Sequence, residues 1–162
     1  MNGMVNTREQ SQSRAAGAQA QDVLEENKKK IPVIQAKTRL KTVQNKMKSS
    51  LAQIRKALEE FNGLTDATDR ELAANQINYS WIRLISGEED LKKATDKLAE
   101  ILGEADPTIM EGDVNQQIDQ NESDRDDILL EWDTFRQKNM NEIKVARNMV
   151  ENSCSNIEVP SS

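Results

Sequence analysis

The chain has 162 residues, with 22 basic and 28 acidic side chains, a net charge of −6, no histidine, one cysteine and 3% aromatic residues. The lack of histidine excludes Ser-His-Asp and Cys-His arrangements, His-bearing zinc sites and histidine pH switches. No catalytic residue, metal ligand set or cofactor is expected. Leu, Ile, Val and Phe number 34, which suits one lean domain with polar tails.

Cys154 has no partner in the chain, so an internal disulfide is impossible and a reducing compartment is expected. The longest apolar runs, such as Ile128-Leu129-Leu130, fall far short of the roughly 20 residues a membrane-spanning helix needs. Met1-Asn2-Gly3 opens no signal-length apolar stretch and lacks a glycine directly after the initiator, so the expected location is cytoplasmic.

Residues 1–21 are mostly Gln, Ser, Asn, Ala and Gly and read as a disordered polar tail. Residues 22–151 form the predicted helical domain, and 152–162, closed by Pro160 and serines, a second tail. The first helix is placed at about 33–62. Pro32 suits its first turn, and Asn62-Gly63-Leu64 suits a glycine stop. Val33, Leu40, Met47, Ile54 and Phe61 recur every seven residues, with Ala36, Val43, Ser50 and Ala57 in a second seam.

Thr68-Asp69-Arg70-Glu71 has the form of a capping box for a second helix at about 68–102. Its seam is Ile77, Leu84, Leu91 and Leu98, joined by Trp81, with a kink or restart expected at Ser86-Gly87 and a stop at Gly103. A third helix is placed at 107–151 behind Asp106-Pro107, with a break expected near 112–125 where apolar residues are few. Its apolar face carries Ile128, Trp132, Phe135, Ile143 and Ala146, interrupted by Arg136 and Asn139, which can fix register. The short connection between the first two helices makes them antiparallel neighbours. The predicted fold is all-α: an elongated antiparallel helical hairpin or three-helix coiled-coil bundle with disordered tails.

Charge is unevenly spread. Lys28, Lys29, Lys30, Lys37, Arg39, Lys41, Lys46, Lys48, Arg55 and Lys56 include no acidic residue among them, whereas 88–133 holds 16 acidic residues against four basic ones. Two readings stay open. The acidic helices neutralise the basic one inside the bundle and so choose its pairing, or the basic face stays free for RNA phosphates or an anionic membrane. In the membrane reading, the seam of Val33, Leu40, Met47 and Ile54 opposite the lysines forms an interfacial helix; in the other, it is bundle core. With no aromatic residue among the cations before Phe61, RNA binding would be backbone-directed.

The cluster Asp119, Glu122, Asp124, Asp126 and Asp127 lacks the glycine and ligand ladder of a calcium loop and reads as a solvated acidic turn. Cys154 reads as an unactivated surface thiol, and Trp81 and Trp132 as core anchors.

The basic heptad segment Lys37-Thr38-Arg39-Leu40-Lys41-Thr42-Val43, continuing through Leu51, Ile54 and Leu58 and followed by an acidic helical hairpin, resembles the N-terminal helical region of Gag-type polyproteins from Bel/Pao retrotransposons. The resemblance spans about 36–150 and implies self-assembly of a capsid-like particle, upstream of capsid and nucleocapsid parts. The chain has no Cys-His zinc knuckle and no aspartic protease motif, which limits the implication to a fragment or domesticated remnant. The expected function is a coiled-coil self-assembly or scaffold module that forms homo-oligomers, because helices with so lean a core gain from burying their remaining faces against another copy. The alternative is an adapter whose basic helix binds RNA or anionic membrane. No small-molecule substrate is expected.

Overall fold

A computed structural model describes the backbone of residues 2–158 and the side chains of residues 20–153. These residues are all-α: α1 (Asn2–Gly63), α2 (Ala67–Glu104), a single 3-10 turn (Pro107–Ile109), α3 (Val114–Lys138) and α4 (Met140–Glu158). The first helix begins at Asn2 and passes through Pro32, where the composition predicted a tail and a start near residue 33. Proline removes one backbone hydrogen bond from a helix interior. Pro32 lies on an exposed stretch, where water can take up the freed carbonyl. The seam anchors the helix only from Val33 onward, and Ala20 to Lys29 are all exposed.

The α1–α2 turn also differs from its prediction. Asp66 caps α2 by accepting from the Asp69 amide at 3.1 Å, and Thr68 lies one residue inside the helix. Asp66 immediately precedes the helix in an extended conformation, so its carboxylate reaches a free amide of the first turn. Gly63 ends α1 without a left-handed backbone, which among the described glycines only Gly112 adopts, at φ 75°. The Leu64 amide closes the last turn on the Glu60 carbonyl at 3.0 Å.

Helix α2 runs unbroken through Ser86-Gly87 to Glu104, enclosing Gly103. Gly87 is buried because α1 passes too close for a side chain: a Cβ there would overlap the Met47 thioether. After the 3-10 turn, the Asp113 carboxylate accepts from the amides of Asn115 and Gln116 and starts α3. The predicted break near 112–125 is thus confined to a few residues around Gly112, and the acidic stretch beyond is helix. A second interruption falls at Asn139, whose side-chain amide donates to the Phe135 carbonyl at 2.9 Å. Helix α4 continues to Glu158, past the predicted boundary at 151; residues 159–162 and the Cys154 side chain lie outside the described residues.

Three arms result, up-down-up. Along α1, Arg55 meets Glu131 and Asn62 meets Glu142, so the third arm runs parallel to α1. Along α2 the partners descend, Asp96 with Arg125, Glu88 with Arg136, Asn78 with Arg147 and Glu71 with Ser153. Seam residues Val33, Leu40, Met47, Ile54, Phe61, Ile77, Leu84, Leu91, Leu98, Trp132 and Ile143 are buried in one core, with Trp81 half-buried against it.

One side of that core is aromatic and charged. Trp81 meets Trp132 edge-on at 5.6 Å between centroids, and Phe135 stacks on Trp132 at 6.4 Å. The Trp132 indole N–H donates to Glu88, which also accepts from Arg136 at 3.3 Å, while Arg136 reaches Asp133 at 2.7 Å. The polar interruptions of the third apolar face therefore have structural partners: Arg136 joins α3 to α2, and Asn139 closes α3.

Candidate functional site

The ten cations of α1 sit around a helix whose core stripe is fixed by Val33, Ala36, Leu40, Val43, Met47, Leu51, Ile54 and Phe61. By the 3.6-residue period, Lys30, Lys37, Lys41, Lys48 and Arg55 form one flank and Lys28, Arg39 and Lys46 the other. Lys56 points away from the core. The first flank faces α3: Lys37 and Lys41 share a groove of about 380 Å³ with Gln117, Gln120 and Asp124. The second flank borders α2, where Arg39 lies beside Ala94, Lys97 and Ile101.

Neutralisation by direct contact is sparse. Lys29 pairs with Asp106 at 3.5 Å and Arg55 with Glu131 at 3.2 Å. Lys28, Lys30, Lys37, Arg39, Lys41, Lys46, Lys48 and Lys56 form no ion pair with any described residue, and all but Lys30 are exposed. Acidic α3 lies beside one flank without engaging most of it. Direct ion pairs among the described residues thus engage only Lys29 and Arg55 of the ten cations. The physical reason is that α3 and α4 pack chiefly on α2, leaving a groove of about 870 Å³ between α1 and α3, lined by Arg55, Leu58, Leu130 and Phe135 among others.

Of the two readings of the seam of Val33, Leu40, Met47 and Ile54, the bundle-core one holds: all four are buried in the core. A different apolar face of α1 is exposed. Val23, Leu24, Ile31 and Ile34 are 54%, 55%, 48% and 57% exposed, and the helical period places them, with Ala20, opposite the core stripe. The same outward line continues through Asn45, Ser49, Ala52 and Lys56, all exposed. No acidic residue occurs between Glu26 and Glu59. A helix start at Val33 conceals this mixed face in the sequence; the seven-residue step from Leu24 to Ile31 is its signal.

A second exposed strip lies on α2, where Leu72, Tyr79, Ile82 and Ile85 line the side away from the core. Arg83 lies over the Tyr79 ring at 5.4 Å and donates to its hydroxyl. Asp106 holds the end of the bundle: the Thr108 amide and hydroxyl donate to its carboxylate and Lys29 lies beside it, which together lower its pKa from 3.8.

Among the described residues, no group of His, Cys, Asp or Glu has the arrangement of a metal site, and no helix is long and apolar enough to cross a membrane. Comparison with protein-family models, characterised proteins and solved structures gives no match.

Proposed function

We propose that the chain is a non-enzymatic helical scaffold module of the cytoplasm whose working surface is the outward face of α1, presented to an anionic partner. The observation that carries this reading is the row of α1 cations without an ion-pair partner among the described residues, on a helix with no acidic residue between Glu26 and Glu59. Most of these side chains are already solvated, so an incoming polyanion displaces counterions without breaking internal pairs.

The test is retention on a heparin matrix against salt. The full chain is retained at low salt and elutes as screening lengths shorten below about 10 Å. Lys46→Glu/Lys48→Glu/Lys56→Glu, with all three residues exposed, elutes at clearly lower salt with an unchanged helical melt. Unchanged retention of that variant contradicts the reading.

A second reading, self-assembly, is favoured by the α2 strip of Leu72, Tyr79 and Ile82, and it is the role the Gag-like resemblance implies. Burying such a strip against another copy would remove apolar surface from water. A solution mass above 18.3 kDa that reverts to monomer in Leu72→Ser/Ile82→Ser supports it. A concentration-independent monomer rules it out.

A further inference from the structure

We infer that the anionic partner is the surface of a lipid bilayer, on which residues 20–41 of α1 lie in the interfacial plane with Val23, Leu24, Ile31 and Ile34 turned into the acyl boundary. This rests on the reading of α1 as an anion-binding face and goes further by choosing among anions. The choice comes from the coexistence of two chemistries on one side of one helix. The four aliphatic side chains point outward, where a nucleic-acid backbone offers them nothing to pack against, and no aromatic residue on that face provides a stacking platform.

A bilayer takes both chemistries at once. The aliphatic side chains enter the boundary between headgroups and acyl chains, and the flanking cations reach lipid phosphates on either side. Lys30, Lys37 and Lys41 border the apolar line on one side and Lys28 and Arg39 on the other, and their long stems allow the charges to snorkel outward. Asp22 and Glu25 fall on the side of the core stripe, away from the lipid, with Glu26 at its margin. A second copy of the chain is a poorer occupant, since parallel pairing along this line would bring the two lysine rows together.

Geometry permits the contact. The outward side chains are exposed from Ala20 to Lys56 apart from the half-buried Lys30, giving about 55 Å of helix at 1.5 Å per residue. Val23, Leu24 and Ile31 precede the stretch of α1 packed into the core, which begins at Val33, while Ile34 borders Ile109, Met110 and Glu111 beside the 3-10 turn; all four stay about half exposed, so this side of α1 is open to a flat approach.

The experiment is sedimentation of the full chain with vesicles of phosphatidylcholine, with and without phosphatidylserine, alongside heparin retention and binding to single-stranded RNA. Expected at about 0.1 M salt is binding to the serine-lipid vesicles and none to phosphatidylcholine alone. Leu24→Ser/Ile31→Ser should weaken vesicle partitioning by about tenfold or more and leave heparin retention unchanged. Lys28→Glu/Lys30→Glu/Lys37→Glu should abolish both. All five residues lie off the core stripe of α1, exposed except for the half-buried Lys30, and an unchanged circular-dichroism melt shows that each variant is folded.

Vesicle binding unaffected by Leu24→Ser/Ile31→Ser would overturn insertion. Retention on heparin or RNA without vesicle binding would overturn the lipid assignment while leaving the anion-binding face intact. Failure to bind heparin, RNA or vesicles would overturn both.

Discussion

Ser50 and Ser80 are buried in the α1–α2 core with hydroxyls that find no hydrogen-bond partner. Desolvating a hydroxyl without a bond is unfavourable, so the value of these serines lies in their small volume between closely packed helices. Ser80→Ala keeps that volume and removes the unpaired hydroxyl. It should raise stability by about 1 kcal/mol, seen as a higher denaturant midpoint with unchanged slope; a lower midpoint would mean that the hydroxyl is bonded in solution.

Glu88 is the opposite case, a carboxylate shared by the Trp132 indole and the Arg136 guanidinium in a partly buried site. Glu88→Ala leaves both donors unsatisfied on this side and should destabilise by about 2 kcal/mol, whereas Glu88→Gln keeps an acceptor and should lose less. Equal losses in chemical denaturation would show that the charge alone matters. At Asp106 the sign follows from the lowered pKa. Its bonds to Thr108 stabilise the fold above the unfolded-state value and are lost as the pH falls through the lower folded-state value. The Thr108 amide resonance should therefore titrate with a midpoint below 3.8, and this titration should vanish in Asp106→Asn.

Among the elements, Gly87 has two roles in conflict. Alanine there would gain about 1 kcal/mol of helix propensity, but its Cβ would overlap Met47, which is 1% exposed. Overpacking of this kind costs about 1–3 kcal/mol, so Gly87→Ala should be net destabilising in a thermal melt despite the better helix former. A gain in stability would mean that Met47 moves aside freely.

The same glycine shows where the sequence stops informing. Periodicity marks which residues face inward, as at Leu40, Ile54, Leu84 and Ile143, because burial imposes that period. It does not distinguish a glycine that breaks a helix from one that lets another helix approach, since the distinction depends on the Met47 side chain 40 residues away. Helix starts suffer similarly: Asp66 and Thr68 both have capping chemistry, and the turn geometry selects the first. The outward apolar line of Leu24, Ile31 and Ile34 becomes legible only with α1 continuing through Pro32, because proline has the chemistry of a helix start as well as of an interior interruption. Glu88 gave no local signal of its role, because both its partners come from α3.

For the whole molecule, the arrangement divides labour between faces of one long helix. The inner face of α1 meets α2 and the third arm in a core that buries the heptad seam, and the outer face keeps its cations and four aliphatic side chains in solvent. The segment from Ala20 to Lys29 is exposed throughout, so its helix lacks the core packing that supports the bundle and opens at low cost. An anion bound there should stabilise the closed helix by mass action.

Amide hydrogen exchange with and without saturating heparin tests this division most directly. Exchange at residues 20–41 should slow by about tenfold or more, the greatest change falling before Val33, while the amides of Ile77–Leu98 in α2 keep their rates. Protection confined to the α2 strip around Leu72–Ser86, or no change along α1 at saturation, would contradict the assignment of the outward face of α1 as the binding surface.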